Sequence, residues 1–122
     1  GLTGFSDMRD VKAEYHKGNK EAILAYEMYA YHIKKYIGAY AAILNGLDAI
    51  VFTAGVGEND SLSRSLATQN MQYLGIHFDE TKNQSGGKGL LEINTPDSPV
   101  KVLVVPTNEE LEIARQCYEL LV

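Results

Sequence analysis

The chain is short of basic residues, of cysteine and of long apolar runs, and each shortage excludes something. Its 122 residues carry 11 Lys and Arg against 16 Asp and Glu, a formal net charge of −5. That balance argues against a nucleic-acid partner, because affinity for a phosphate backbone comes mostly from Lys and Arg. It leaves a small anionic ligand open, since such a ligand needs only local donors. The one cysteine, Cys117, excludes an intramolecular disulfide and suits a reducing, cytoplasmic setting. In a late helix with no base beside it in sequence, it reads as a packing residue. No apolar run reaches the ~18 residues of a membrane span, so no membrane partner is expected. The opening Gly-Leu-Thr-Gly-Phe-Ser-Asp has no basic region and no apolar core of a signal peptide. It also opens without Met, which reads as a chain processed, tagged or cut from something longer. His16, His32 and His77 share no metal-ligand spacing.

What remains is enough for one domain with its own core: 45% of the residues are hydrophobic and 22% charged. Residues 6–17 read as a short helix capped by Ser6 or Asp7 and ended by Gly18. Asn19 caps a long helix reaching about Asn45, with Gly46 as its stop. Ala22, Tyr26, Tyr29, Ile33, Tyr36, Tyr40 and Ile43 line one face of it, and Ile23, Ala30, Ile37, Ala41 and Leu44 run beside them. So wide an apolar arc predicts a mostly buried helix, covered by its own domain or by a partner. Residues 47–53 (L-D-A-I-V-F-T) read as a buried, parallel strand. A glycine turn, 54–60, leads into a helix through about Leu74 that Asn59 or Asp60 can cap. Short strands are expected around Ile76 and Phe78 and over 90–93, with a turn-rich loop at 83–89. A second strong strand runs from Val100 to Val105, ends at Pro106, and is followed by a helix capped by Thr107 or Asn108. Alternating strands and helices predict an α/β fold with a short mixed or parallel sheet flanked by helices.

Two strand exits carry the chemical signal. Gly55-Val56-Gly57 follows the first strand and precedes a helix, the place where α/β sheets bind ligands and where glycines let a backbone approach one. No Lys-Ser/Thr follows, so this is not a Walker loop, and Asp60 stands where the third glycine of a dinucleotide fingerprint would be. A tight structural turn explains the pattern equally well. Pro106-Thr107-Asn108-Glu109-Glu110 follows the second strand, so parallel strands would bring both exits to one sheet edge. Glu109 there can hold Mg²⁺, or with Glu110 can simply complement the helix dipole. Arg9 lies between two aspartates, and Arg64, on the helix after the glycine turn, reads as a surface ion pair that is also within reach of a phosphate.

The order of three motifs is more specific than any of them alone. Ser6-Asp7-Met8-Arg9-Asp10, then Phe52-Thr53-Ala54-Gly55-Val56-Gly57-Glu58-Asn59, then Pro106-Thr107-Asn108-Glu109-Glu110-Leu111 with Ile113-Ala114-Arg115, closely resemble the C-terminal part of the acetate kinase family. Tyr73-Leu74-Gly75-Ile76 fits as well, so the resemblance covers essentially residues 1–122. It implies a ribonuclease-H-like domain segment of the actin, Hsp70 and sugar-kinase type. It also implies a homodimer joined through C-terminal domains, and the Mg²⁺-dependent reaction of ATP with acetate to give ADP and acetyl phosphate. Carried over by motif, the nucleotide-binding residues are Asp7, Met8, Arg9, Gly55, Val56, Gly57, Glu58 and Asn59. Met8 replaces the family's usual Phe, a soft apolar exchange. Arg64 is a phosphate-contacting or site-supporting position, and Glu109 is the metal position.

The family's phosphate loop, His-Leu-Gly-Asn-Gly, is absent from these 122 residues, as are its substrate-binding and transition-state arginines and its catalytic His. No catalytic residue is therefore expected in this segment, and the segment alone is expected to be inactive, since phosphoryl transfer rests on positioning and charge stabilisation. Propionate kinase shares the motifs. A non-catalytic nucleotide-binding or dimerisation module is the alternative from another class, and a dehydrogenase fragment is a weaker one.

Overall fold

Small capping residues divide the helical half of the molecule. The computed structural model describes residues 8–86 and 89–121, with the backbone alone for 108–112 and 121. Gly18, at φ +84°, closes α1 (Met8–His16). Asn19 then accepts hydrogen bonds from the backbone N–H groups of Glu21 and Ala22 and starts α2 (Lys20–Leu44). The expected caps of α1, Ser6 and Asp7, lie outside the described residues. Asn45 ends α2 in the left-handed region, one residue before the expected glycine stop.

The burial of α2 is narrower than its apolar arc. Ala22, Tyr26, Ala30 and Ala41 are buried and Ile33 and Ile37 half-buried, one line at i, i+3 and i+4 spacing. Alanines on that line let α1 and α4 (Ser61–Thr68) come close. Tyr29, Tyr31, Tyr36, Tyr40, Ile43 and Leu44 stay exposed, because within the described residues no element packs on that side.

The sheet has three strands in the order β1-β3-β2. β1 (Ala49–Thr53) runs parallel to β3 (Lys101–Val105), with Thr53 opposite Val105, and β2 (Leu91–Glu92) runs antiparallel to β3. This is the expected α/β arrangement with a short mixed sheet. β1 is an edge of this sheet, however, and only its Phe52 is buried; Val51 is 52% exposed, against the expectation of a buried strand. Ile76 bridges Val100 in parallel and Phe78 bridges Asn94 antiparallel, the remnant of the expected short strand. Phe52, Ala67, Met71, Ile76, Ile93, Val100, Val102 and Val104 form the main core cluster.

Three boundaries differ from expectation. The glycine turn itself winds into a short helix, α3 (Ala54–Asn59), and α4 stops at Thr68 rather than near Leu74. Asn70, at φ 60°, breaks the path, and Gln72–Leu74 form only a 3₁₀ turn closed by Gly75. The expected loop at 83–89 begins inside a helix: α5 (Glu80–Gln84) is capped by Asp79, which accepts from the Lys82 N–H. Five residues are too few to show a helical period, so only the cap could have marked it. The last helix, α6 (Thr107–Leu121), begins right after Pro106, and Cys117 on it is exposed rather than packed. No helix among the described residues is long and apolar enough to cross a membrane.

Ile93 is wholly buried between β3 and the 76–78 segment. Ile93→Ala is expected to cost about 2–5 kcal/mol by urea denaturation, through lost transfer energy and a residual cavity.

Candidate functional site

The chain leaves β1 through two residues in unusual backbone conformations. Ala54 has φ 54°, and Gly55 has φ 40° and ψ −116°, outside the regions open to a residue with a Cβ. A left-handed alanine costs roughly 1 kcal/mol or more, so the turn persists only because its surroundings hold it. Three polar contacts do so. The Asn59 side-chain amide donates to the Gly55 carbonyl at 2.9 Å, and Thr53 Oγ1 donates to the Val105 carbonyl at 2.7 Å, pinning the end of β1 to β3. The third is Arg64.

Arg64 is not the surface ion pair its neighbourhood in sequence suggests. It is 4% exposed, and no carboxylate oxygen lies within ion-pair distance among its described partners. Its Nη1 donates to the carbonyls of Gly57 at 3.0 Å and Glu58 at 2.9 Å, the last turn of α3. Nε donates to Asn83 Oδ1 at 2.8 Å and Nη2 to the Asn83 carbonyl at 3.1 Å. The cation thus sits at the negative end of a short helix and satisfies carbonyls with no intrahelical partner. Burial lowers its pKa from the usual value, and the charges of Asp60 and Glu80 oppose that shift. Arg64 thus braces the glycine turn from beneath α3.

Five of the sequence-predicted residues come together. Met8, Arg9 and Lys12 of α1 face Gly55, Val56 and Asn59 of α3, with Asp60, across an open groove of about 790 Å³. Glu58 lies on the other side of the turn and, with Asn59 and Arg64, lines a smaller cavity of about 230 Å³ that also touches Leu91, Val104 and Pro106. The two strand exits do share one sheet edge: Thr107 Oγ1 donates to Glu58 Oε2 at 3.3 Å. Gly57 lies in helical backbone against Phe52, with no left-handed constraint. Asp7 lies outside the described residues. Glu109 falls in the first turn of α6, where the backbone alone is described.

Sequence reasoning offered Asp60 as a helix cap, which it is, but missed the rest of the groove's support. Asp60, the residue in the third-glycine position, is buried and caps α4 by accepting from the Leu62 N–H at 3.2 Å. It also accepts from Tyr26 Oη at 2.7 Å and Ser63 Oγ at 2.7 Å, and lies 3.5 Å from Lys12 Nζ. Burial first, and then this carboxylate, push the Tyr26 phenol's pKa up. Asn83 is likewise buried, donating to the Ser61 carbonyl at 2.8 Å while accepting from Arg64. The only sequence signals for these two were helix-capping chemistry at Asp60 and a polar residue in a presumed loop at Asn83.

The two glycines should respond differently. Gly55→Ala is expected to cost about 1–3 kcal/mol in thermal or urea denaturation, because its backbone conformation is closed to alanine. Gly57→Ala, with no neighbour nearer than 3.7 Å to the new methyl, should be neutral or slightly stabilising. Glu80 contributes a pH dependence. Burial raises its pKa, but hydrogen bonds from Ser65, Gln84 and Asn83 outweigh this and hold it below 4.5. A lowered folded-state pKa contributes stability above the unfolded value that is lost as pH falls through the folded one. Stability measured by urea titration should therefore decline below about pH 4.5, and less steeply in Glu80→Gln.

Comparison with known proteins gives the chain's family. The Acetokinase family model matches residues 1–115. The chain is 60% identical over 121 residues to an acetate kinase of Flavobacterium johnsoniae, covering 99% of this chain and 31% of that protein. It is 52% identical to one of Carboxydothermus hydrogenoformans, covering 100% of this chain and 30% of that protein. Among solved structures, Porphyromonas gingivalis acetate kinase superposes with a TM-score of 0.84 at 43% identity, over 100% of this chain and 31% of that one. A propionate kinase of Francisella tularensis gives 0.78 at 37%, over 93% and 29%. The chain thus spans about a third of the length of the relatives it matches. Its motifs, its fold and these matches together show that the chain belongs to the acetokinase family.

Proposed function

We propose that this chain is the nucleotide-side, C-terminal segment of an ATP:acetate phosphotransferase. The observation that carries the reading is the groove in which Met8 and Arg9 face Gly55, Val56 and Asn59. Two stretches more than forty residues apart in sequence, both read as nucleotide-contacting, form opposite walls of one open cleft. Met8 offers a polarizable apolar surface to a base, Arg9 a charge at the rim, and the start of α3 leaves backbone N–H groups without helical partners. In the intact enzyme an acetate oxygen would attack the γ-phosphorus of ATP as the bond to ADP breaks. The part of this chain is to bind and orient the nucleotide, with Asp7 and Glu58 completing the set.

Mg²⁺ would neutralise charge on the transferring phosphoryl group when bound. Among the described residues there is no cluster of three or more His, Cys, Asp or Glu able to hold a metal. A lone carboxylate such as that of Glu109 suits an ion that keeps several waters and takes most of its other ligands from phosphates. Glu109 would hold it, directly or through water.

The ribonuclease-H-like assignment, a cytoplasmic location and a homodimer through the C-terminal domain belong to the same proposal. The parallel β1–β3 pair supports the first, the lone cysteine the second and the exposed tyrosines of α2 the third. The propionate kinase match supports a second reading, in which only the acyl acceptor differs.

The purified chain is expected to bind ADP measurably and more tightly than NAD by calorimetry, and to form no acetyl phosphate from ATP and acetate. No binding of ADP, or preference for NAD, would overturn the nucleotide reading; turnover by the chain alone would overturn the inactivity.

A further inference from the structure

The walls of the groove are not bound to each other by a broad packed interface. α1 and α4 each pack on α2, while α3 packs on α4 and on the ends of β1 and β3. One wholly buried side chain of α2 meets both walls. The Tyr26 ring lies in the small core with Met8, Val11, Tyr15, Leu62 and Leu66, its centroid 5.4 Å from that of Tyr15 on α1. Its hydroxyl donates to Asp60 Oδ2 at 2.7 Å and lies 3.5 Å from the carbonyl oxygen of Met8. A phenol has one proton, so the short bond to Asp60 takes it and the Met8 carbonyl is a packing neighbour of the hydroxyl, not a second acceptor. Asp60 lines the groove at the foot of α3, and Met8 lines it opposite. Lys12, 3.5 Å from Asp60 Oδ1, adds an outer ion pair across the same gap.

We propose that Tyr26 is a positioning residue for the nucleotide: its ring packs against α1, its buried hydroxyl bonds the Asp60 corner, and together they set the spacing of the groove. The role rests on the nucleotide reading above. Tyr26 touches no ligand. It acts by holding Met8 and Arg9 at a fixed distance from Gly55, Val56 and Asn59, so that binding does not have to order two independent walls. A phenylalanine would fill the same apolar space, which is why the hydroxyl, not the ring, is the testable element.

The test uses Tyr26→Phe in the complete kinase carrying this segment. The KM for ADP is expected to rise about five-fold, less than the full worth of one buried hydrogen bond to a charged group because the bond acts on the nucleotide only through the spacing of the walls, with kcat and the KM for acetyl phosphate within about two-fold of the unsubstituted enzyme. Amide hydrogen exchange should speed up at 8–12 and at 55–60 together. Thr68→Val serves as the stability control, since its buried hydroxyl bonds to Arg64 O and Ser65 O within α4. It should lower the melting temperature without the selective rise in the KM for ADP. In the unsubstituted enzyme, ADP should protect both stretches together. An unchanged KM for ADP, equal losses in every kinetic parameter, or protection of one wall alone overturns the proposal. An unsubstituted enzyme that binds no ADP overturns the nucleotide reading and the positioning role with it, while faster exchange in Tyr26→Phe would still mark the tie.

Discussion

The site depends on how a strained strand exit is held. Ala54 and Gly55 turn the chain sharply out of β1 in backbone conformations that do not persist unaided. Arg64 holds the far end of that turn by donating to the Gly57 and Glu58 carbonyls, and Asn83 holds Arg64. A buried cation is costly unless its donors are satisfied, and here the acceptors are the carbonyls that a six-residue helix leaves open. The two costs, an unpaired guanidinium and unpaired carbonyls, cancel only in this geometry. The same contact therefore links α3, α4 and α5 and fixes the shape of the turn.

Asp60 plays the matching part on the other side. It ends the glycine turn, caps α4, and gathers Tyr26, Ser63 and Lys12 around one carboxylate. The third glycine of a dinucleotide loop would serve close helix–strand packing at this position. An aspartate there instead carries hydrogen bonds to a different helix, α2. The groove is thus built between α1 and α3 but supported from α2, and its floor is a polar network inside a small apolar core.

Local chemistry made much of the fold readable. Asn19 and Gly18 marked the α1–α2 junction because capping is a matter of neighbouring residues, and the β-branched run of β3 marked the central strand. The parallel strands put Thr53 beside Val105 and so bring both exits to one sheet edge, the condition set from the sequence. What could not be read was set by long-range contacts. Whether Val51 or Tyr36 is covered depends on what packs beside β1 and α2, not on their own neighbours in sequence. Arg64 looked like a surface residue because nothing near it in sequence announces Asn83, nineteen positions on, as its partner. The candidate site was legible as two motifs, and the groove that joins Met8 and Arg9 to Gly55 and Asn59 is a property of the tertiary structure.

The central claim is that nucleotide lies between the two walls joined through Asp60. Intermolecular nuclear Overhauser effects between ADP and selectively labelled protein test it most directly. The account predicts contacts from the adenosine protons to Met8 and to Val56, on opposite sides of the ligand. Contacts confined to Leu91 and Val104 in the smaller cavity, or to neither set, would contradict it.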